Sequence, residues 1–278
     1  MNVSSNLRTP LSAALAVLAF GCANGAQAEI RDSTGSTRGN VLTVNSLADN
    51  TTPGDGLVTL REAIIAANAD GTTDLGQTGN GADIIDLSAL SGTIQLGSSL
   101  PAISSDITLF GAGRDQLTIS GDDGAGTRNR IFFIDGGDLQ LIDLALRHGF
   151  ARGGNGGTCQ QRSGCGGGGA GLGGAIFARA GSAELQDVIF SGNQAERGAA
   201  GSQSGGNNAG LPGQGKGGAL FILPGAVVTA LALDFDGNSA ADSSDEGYTP
   251  GVSVDTRDVH GLISDIDRIF AAGFESVP

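Results

Sequence analysis

The stretch GGAIFARAGSAELQDVIFSGNQA at residues 173–195 is followed by GGALFILPGAVVTALALDFDGNSA at 217–240. The two share a glycine pair, an aliphatic-Phe step, a glycine in mid-stretch, a second Phe and a G-N-x-A end. The offset is 44 residues from Gly173 to Gly217 and 45 from Phe190 to Phe235. A unit that recurs in this way buries its apolar face by stacking on its copy. A degenerate third copy comes before them. Leu141, Asp143, Leu144, Leu146 and Ala151 stand 44 residues before Leu185, Asp187, Val188, Phe190 and Ala195. Three copies are about the minimum for a stable stack. The pattern predicts an all-β chain built as a parallel β-solenoid.

Short β-rich runs continue the pattern upstream: DIIDL (83–87), TIQL (93–96), ITLFG (107–111), LTISG (117–121) and IFFI (131–134). Each is bounded by Gly, Asp or Ser, as strands are. Their spacing predicts about two strands per coil. With 49 Gly, no Trp and 4% aromatic residues, the chain is poorly suited to a two-layer globular core. It suits coils with tight corners and aliphatic interiors, because Gly reaches positive φ without a Cβ clash. Its 39% hydrophobic content argues against a disordered glycine-rich chain.

Residues 1–28 read as a secretory signal, with Arg8, an apolar run from Leu11 to Phe20 and the A-x-A site Ala26-Gln27-Ala28. Cleavage after Ala28 would start the mature chain at Glu29. The lipobox-like run ending at Cys22 is the competing reading. Without Arg8, 14 basic residues face 29 acidic ones, a balance that repels nucleic acid and anionic lipid. No other segment is long and apolar enough to cross a membrane. Cys159 and Cys165 lie in one glycine-rich stretch, and a disulfide between them fits an oxidising compartment. A metal site would need further ligands, and none flank the pair.

Residues 29–40 read as a leader. In 41–71, VLTVNSL (41–47) alternates like a strand, and Thr59 to Asp70 (TLREAIIAANAD) is the one convincing helix. Thr59 and Glu62 fit the capping box, and Gly71 is expected to end the helix. Its expected role is to cover the open end of the first coil. Residues 72–240 are assigned to the coils. They are interrupted by glycine-rich excursions at 152–174, with twelve glycines, and at 196–218. Both begin after a coil end and finish at a GGA start, so both should leave from one corner and stack. Two readings stand: tolerated surface insertions, or a binding surface. Asn193 and Asn238 occupy equivalent turn positions and predict an inward asparagine ladder. Residues 241–278 read as an acidic turn and a tail. In the tail Ile263, Ile266, Ile269 and Phe270 can form a helical face.

The run VLTVNSLADN, a Gly/Asp turn, GLVTLREAIIAAN and the following I-x-L strands resemble the CSLREA-type N-terminal region. The GGA(I/L)F…F-x-G-N-x-A units are similar to the repeats of polymorphic outer-membrane proteins. The resemblance covers about 41–240 and implies a right-handed parallel β-helix exported to the cell surface or secreted. Val58-Thr59 stands where the motif has Cys-Ser, so a cap disulfide of that kind is absent. DRIFAAGFE in the tail resembles a short C-terminal sequence of exported bacterial proteins, a capping or sorting element.

Chemistry has few candidates. Hydrolysis needs converging carboxylates, and a lyase needs a base beside acidic calcium ligands. Asp122, Asp123, Arg128, Arg130, Asp143, Arg147 and His148 are the candidates for these roles, with Asp143 and Asp187 at equivalent positions. Acidic residues at a repeated position fit a solvated face, and His148 fits a turn. DFDGNSAADSSDE (234–246) lacks the EF-hand spacing, and the glycine loops lack the Asp of G-G-x-G-x-D. No catalytic, cofactor or metal residue is assigned. The structural residues are Thr59, Glu62, Cys159, Cys165, Asn193 and Asn238. The expected function is a non-catalytic, adhesin-like monomeric scaffold that binds a polysaccharide or a cell-surface protein, with neither cofactor nor nucleic acid. A polysaccharide lyase or hydrolase and a purely structural passenger-like domain are the alternatives.

Overall fold

The computed structural model describes residues 39–122, 124–160, 164–202, 209–244 and 249–265. The signal region with Cys22, most of the leader, Asp123, and Ile266, Ile269, Phe270 and DRIFAAGFE lie outside the described residues. The described chain is all-β apart from one short helix. Its elements in order are β1 (Val41–Thr43), α1 (Leu60–Ala69), β2 (Asp83–Asp86), β3 (Gly92–Gln95), β4 (Ile107–Phe110), β5 (Leu117–Ser120), β6 (Phe132–Arg147), β7 (Phe150–Arg152), β8 (Gly171–Leu172), β9 (Ile176–Ser191), β10 (Gln194–Glu196), β11 (Gly215–Lys216), β12 (Leu220–Ile222), β13 (Val227–Asp236), β14 (Ser239–Ala240), β15 (Ser253–Asp255) and β16 (Val259–Asp265). Among the described residues, no helix is long and apolar enough to cross a membrane.

Named strands pair in parallel, except β15 with β16. β6 lies on β9 with Phe132 beside Ile176, Leu141 beside Leu185 and Leu146 beside Phe190, all 44 residues apart. β13 follows on β9, with Phe190 beside Phe235. Between β2 and β6 the step is shorter: Ile85 pairs with Leu109, 24 residues on, and Leu109 with Leu141, 32 on, whereas Leu42 to Ile85, with α1 in between, is 43. The 44-residue step is thus a turn of about 24 residues lengthened by a glycine-rich excursion. A turn is also richer in strand than its spacing suggested, since β6 and β9 each run 16 residues around a corner.

Register explains the interior. Side chains alternate in and out along a strand, and parallel pairing places like upon like. Leu42, Ile85, Leu109, Leu141, Leu185 and Ala230 form one buried column. Ile94, Ile119, Leu146 and Phe190 form another. Full burial of one such Leu or Ile side chain contributes about 1.5–3 kcal/mol. Asp83 interrupts a third column, beneath Ile107. Its carboxylate accepts the N–H groups of Asn40 and Asn80 at 2.9 Å. Burial still pushes its pKa above the ordinary carboxylate value.

The corners take left-handed backbone at stacked positions: Asp143, Asp187 and Ala232 (φ 55°, 54° and 58°), then His148, Gly192 and Gly237 (φ 53°, 64° and 61°). Asp and Gly suit this region and Ala does not. Just past the second corner, Asn193 and Asn238 point inward, 0% and 3% exposed. Asn193 Oδ1 accepts Gly149 N–H at 2.8 Å, and its Nδ2 donates to Leu146 O (3.1 Å) and to Asn238 Oδ1 (2.9 Å). Asn238 Nδ2 donates to Phe190 O and to Asp258 Oδ1, which ends the ladder.

Helix α1 begins at Thr59. Its Oγ1 accepts Glu62 N–H while Glu62 Oε2 accepts Thr59 N–H, so both orphan donors are satisfied. Leu60, Ala63, Ile64, Ala66 and Ala67 bury the apolar face against the core. The helix ends one residue earlier than expected. Asp70 takes the left-handed conformation (φ 48°), and Gly71 N–H returns to Ala66 O. The other end of the chain also departs from expectation. Val259–Asp265 is a strand on β12 and β13, and Ile263 is buried in the core, not on a helical face. The alternation of Val259, Gly261 and Ile263 has the strand period, which the spacing of Ile263 with later residues obscured.

Replacing Asn193 by Ala leaves Gly149 N–H and Leu146 O without their side-chain partner in a closed interior. The expected loss is about 2–5 kcal/mol, read as a fall in the urea midpoint at unchanged slope.

Candidate interaction surface

The two glycine-rich excursions form one hydrogen-bonded body. The first leaves β7 through Gly153–Cys159 and returns through Gly166–Gly171. The second leaves β10 through Gly198–Ser202 and returns through Gly210–Gln214. The outgoing legs run parallel: N–H groups of Gly153, Gly156 and Cys159 donate to the carbonyls of Glu196, Ala199 and Ser202 at 3.0, 2.8 and 3.2 Å. The returning legs do the same, with Gly168 to Leu211 and Gly171 to Gln214, both 2.8 Å. Antiparallel bonds complete the bundle. Gly166 and Gly169 donate to Gly157 and Gly154, Gly198 and Gly201 to Gly169 and Gly166, and Gly210 and Gly213 to Gly201 and Gly198.

Each series advances by three residues, the period of a polyproline-II chain, which has no internal hydrogen bonds and turns its N–H groups toward neighbours. Such close packing excludes side chains. A Cβ on Gly153 would overlap Gly169 O, one on Gly168 would overlap Gly198 O, and one on Gly198 would overlap Gly154 O. None of these glycines has a positive φ, so here glycine serves close approach. Positive φ is needed where the excursions rejoin the strands, at Gly173 and Gly217 (φ 61° and 57°). Cys159 and Cys165 form a disulfide at the tip of the first excursion, with Cα atoms 4.9 Å apart.

Side chains hold the root of the bundle. Arg130 donates to Gly173 O and Leu172 O and lies over the Phe177 ring. Phe177 sits in an outer column from Phe133 through Phe221 to His260, with ring centroids 5.4, 5.3 and 4.7 Å apart. Arg128 bonds Gln194 and covers Phe150. On the other side Arg197 pairs with Asp242 at 2.7 Å, and Lys216 with Asp255 at 2.6 Å. Burial disfavours the Asp255 carboxylate. Hydrogen bonds from Lys216 and His260 outweigh it and hold the pKa below the ordinary value. Arg128 and Arg130, candidates for chemistry by sequence, thus brace the bundle.

The remaining candidates separate. Asp122 closes a local turn onto Gly124 N–H. His148 occupies its left-handed corner, and Arg147 lies on the outside of β6. Asp143 and Asp187 meet at the other corner. Arg114, which the sequence did not single out, binds Asp187 Oδ1 at 2.9 Å and also pairs with Asp234. Burial, and then the charge and hydrogen bond of Asp187, push the Asp143 pKa up. The corner is partly exposed, with the Asp187 and Asp234 side chains 45% and 58% accessible. A shallow groove of about 280 Å3 lies elsewhere, lined by Asp106, Thr108, Asp138, Gln140, Ser182 and Glu184. Among the described residues, no group of three His, Cys, Asp or Glu is placed to hold a metal ion. One signal for the bundle was present in the sequence: Gly at 153 and 156, 166 and 169, 198 and 201, 210 and 213.

A Gly198→Ala change forces the two layers apart. It should leave the strand core folded while the excursions become susceptible to limited proteolysis, which is detectable by mass spectrometry. Asp143 supplies a pH test. Its raised pKa means that the folded state favours the neutral acid, so its contribution is full below the ordinary Asp value of about 3.9 and is lost as pH rises through the raised value. Asp143→Asn does not titrate and also accepts left-handed backbone. Its melting temperature should gain on that of the unaltered chain as pH rises from about 4 to 7. No protein-family model, curated protein or solved structure matches this chain.

Proposed function

We propose that this chain is an exported, non-catalytic, right-handed parallel β-helix of the CSLREA type, whose glycine bundle is an adhesin-like binding surface for a glycan or a protein. The bundle is the observation that carries this reading. A tolerated insertion needs no fixed glycine spacing, whereas here each of four legs carries two glycines three residues apart where a Cβ would strike backbone. The result is a stiff projection from one corner, and insertions on one face of a stacked fold commonly bind. The in-register parallel ladders support the β-helix, and the Cys159–Cys165 disulfide supports an oxidising compartment outside the cytoplasm.

The second reading, a polysaccharide lyase or hydrolase, is favoured by one observation. Asp143 carries a raised pKa beside Asp187, which itself binds Arg114. Acid–base cleavage of a glycoside uses a pair of carboxyl groups, one of them kept as the neutral acid. Mature protein incubated with a polysaccharide panel, with and without calcium, separates the readings. Retention without product is expected. Release of reducing or unsaturated ends that disappears in Asp143→Asn or Asp187→Asn would replace the scaffold by the enzyme.

A further inference from the structure

The two layers of the bundle present different faces to solvent. Continuing the β7–β10 pairing (Arg152 beside Glu196) and the β8–β11 pairing (Gly171 beside Gly215) places each residue of the lower layer 44 before its counterpart in the upper one. Gly154, Gly157, Gly166 and Gly169 therefore correspond to Gly198, Gly201, Gly210 and Gly213. In the upper layer a Cβ at each of these four positions would overlap a carbonyl of the layer beneath. In the lower layer a Cβ on Gly154 or Gly157 meets nothing within 4 Å, and both glycines are exposed. The close packing that requires glycine at 198 and 201 is thus absent at 154 and 157, yet glycine stands there. Their N–H groups make no hydrogen bond to any described residue, whereas those of Gly198 and Gly201 donate to the layer below.

The upper face is closed. The counterparts of Gly153, Gly156 and Gly168, whose N–H groups bind the second layer, are Arg197, Ala200 and Pro212. Arg197 and Ala200 carry side chains where a third layer would pack, and Pro212 has no N–H to donate. Such residues block further pairing at an exposed edge. The lower face carries none of them.

We infer that the lower face of the bundle, built on Gly154 and Gly157, docks an extended glycine-rich segment of another protein, in the geometry by which the chain's own second layer sits on its first. The interface is the established inter-layer one continued by a further layer. The partner must offer an upper face like that of the first excursion: extended chain, glycine every third residue, free N–H groups at that spacing. A second copy of this chain does not qualify, because Arg197, Ala200 and Pro212 occupy its exposed upper face. Main-chain bonds give such docking its affinity, and the exclusion of Cβ atoms gives its selectivity. The inference deepens the reading of the bundle as a binding surface and rests on it.

The test uses the mature protein and a disulfide-closed peptide of residues 152–172, which carries the required upper face, followed by fluorescence anisotropy. A control peptide has Gly168 replaced by Pro, the residue at the equivalent position 212, which removes an N–H that the upper face offers. Saturable binding of the first peptide is expected, at least tenfold weaker for the control peptide. It should also weaken at least tenfold for the Gly154→Ala/Gly157→Ala protein, whose melting temperature should be unchanged because those methyls meet only solvent. No saturable binding, or equal binding by the double variant, overturns the inference whatever the polysaccharide panel shows. Self-association of the protein alone that is lost in the double variant overturns the assignment of the occupant to another protein.

Discussion

Main-chain hydrogen bonding between one turn of the chain and the next governs everything else in this structure. Each turn must bring strand over strand in parallel, so each position inherits the environment of its neighbour one turn away. Inward positions become columns of Leu, Ile and Phe, and corner positions become columns of left-handed backbone. A turn of about 24 residues satisfies the pairing from Ile85 to Leu109. A turn of 44 does so equally from Leu141 to Leu185. The added residues leave and rejoin at one corner, and the loop-closure cost of added chain grows slowly with length. Length is free to vary where the ladders do not pass.

Glycine meets two unrelated demands. At Gly173, Gly192, Gly217 and Gly237 it supplies positive φ at stacked corners. In the excursions it supplies close approach at negative or extended φ, so four legs share hydrogen bonds where a Cβ on Gly153, Gly168, Gly198 or Gly213 would strike backbone. A composition of 49 glycines reflects both demands. It does not describe a flexible chain, because the bundle glycines are held on several sides by backbone bonds.

Charge and polarity are secondary but patterned by the same step. Arg179 pairs with Asp135, Arg152 with Glu196 and Arg197 with Asp242, each about one turn away. Exposed pairs of this kind contribute little, typically about 0–1 kcal/mol each. Inside, Asn193, Asn238 and Asp258 hand hydrogen bonds from turn to turn. Burial raises the Asp258 pKa, partly offset by the bond from Asn238 and the charge of Arg257.

The sequence by itself determined the all-β character, the helix start and the step between stacked copies. These depend on local chemistry and on period: the Thr59–Glu62 cap is three residues long, and an offset of 44 is visible wherever like residues recur. It also carried the Asn193–Asn238 equivalence and the proximity of Cys159 and Cys165. Only the tertiary structure decided what the excursions are. Glycine spaced by three is compatible with a loose loop, and becomes a bundle only when four legs from two turns meet. The same holds for Arg114, which is 73 residues from Asp187 and 120 from Asp234. Its role exists because the turns stack, and no local pattern around it records which corner it will face. Ile263 departs from its expected helical face for the converse reason: its apolar spacing fits either period, and the ladder on β13 selects the strand.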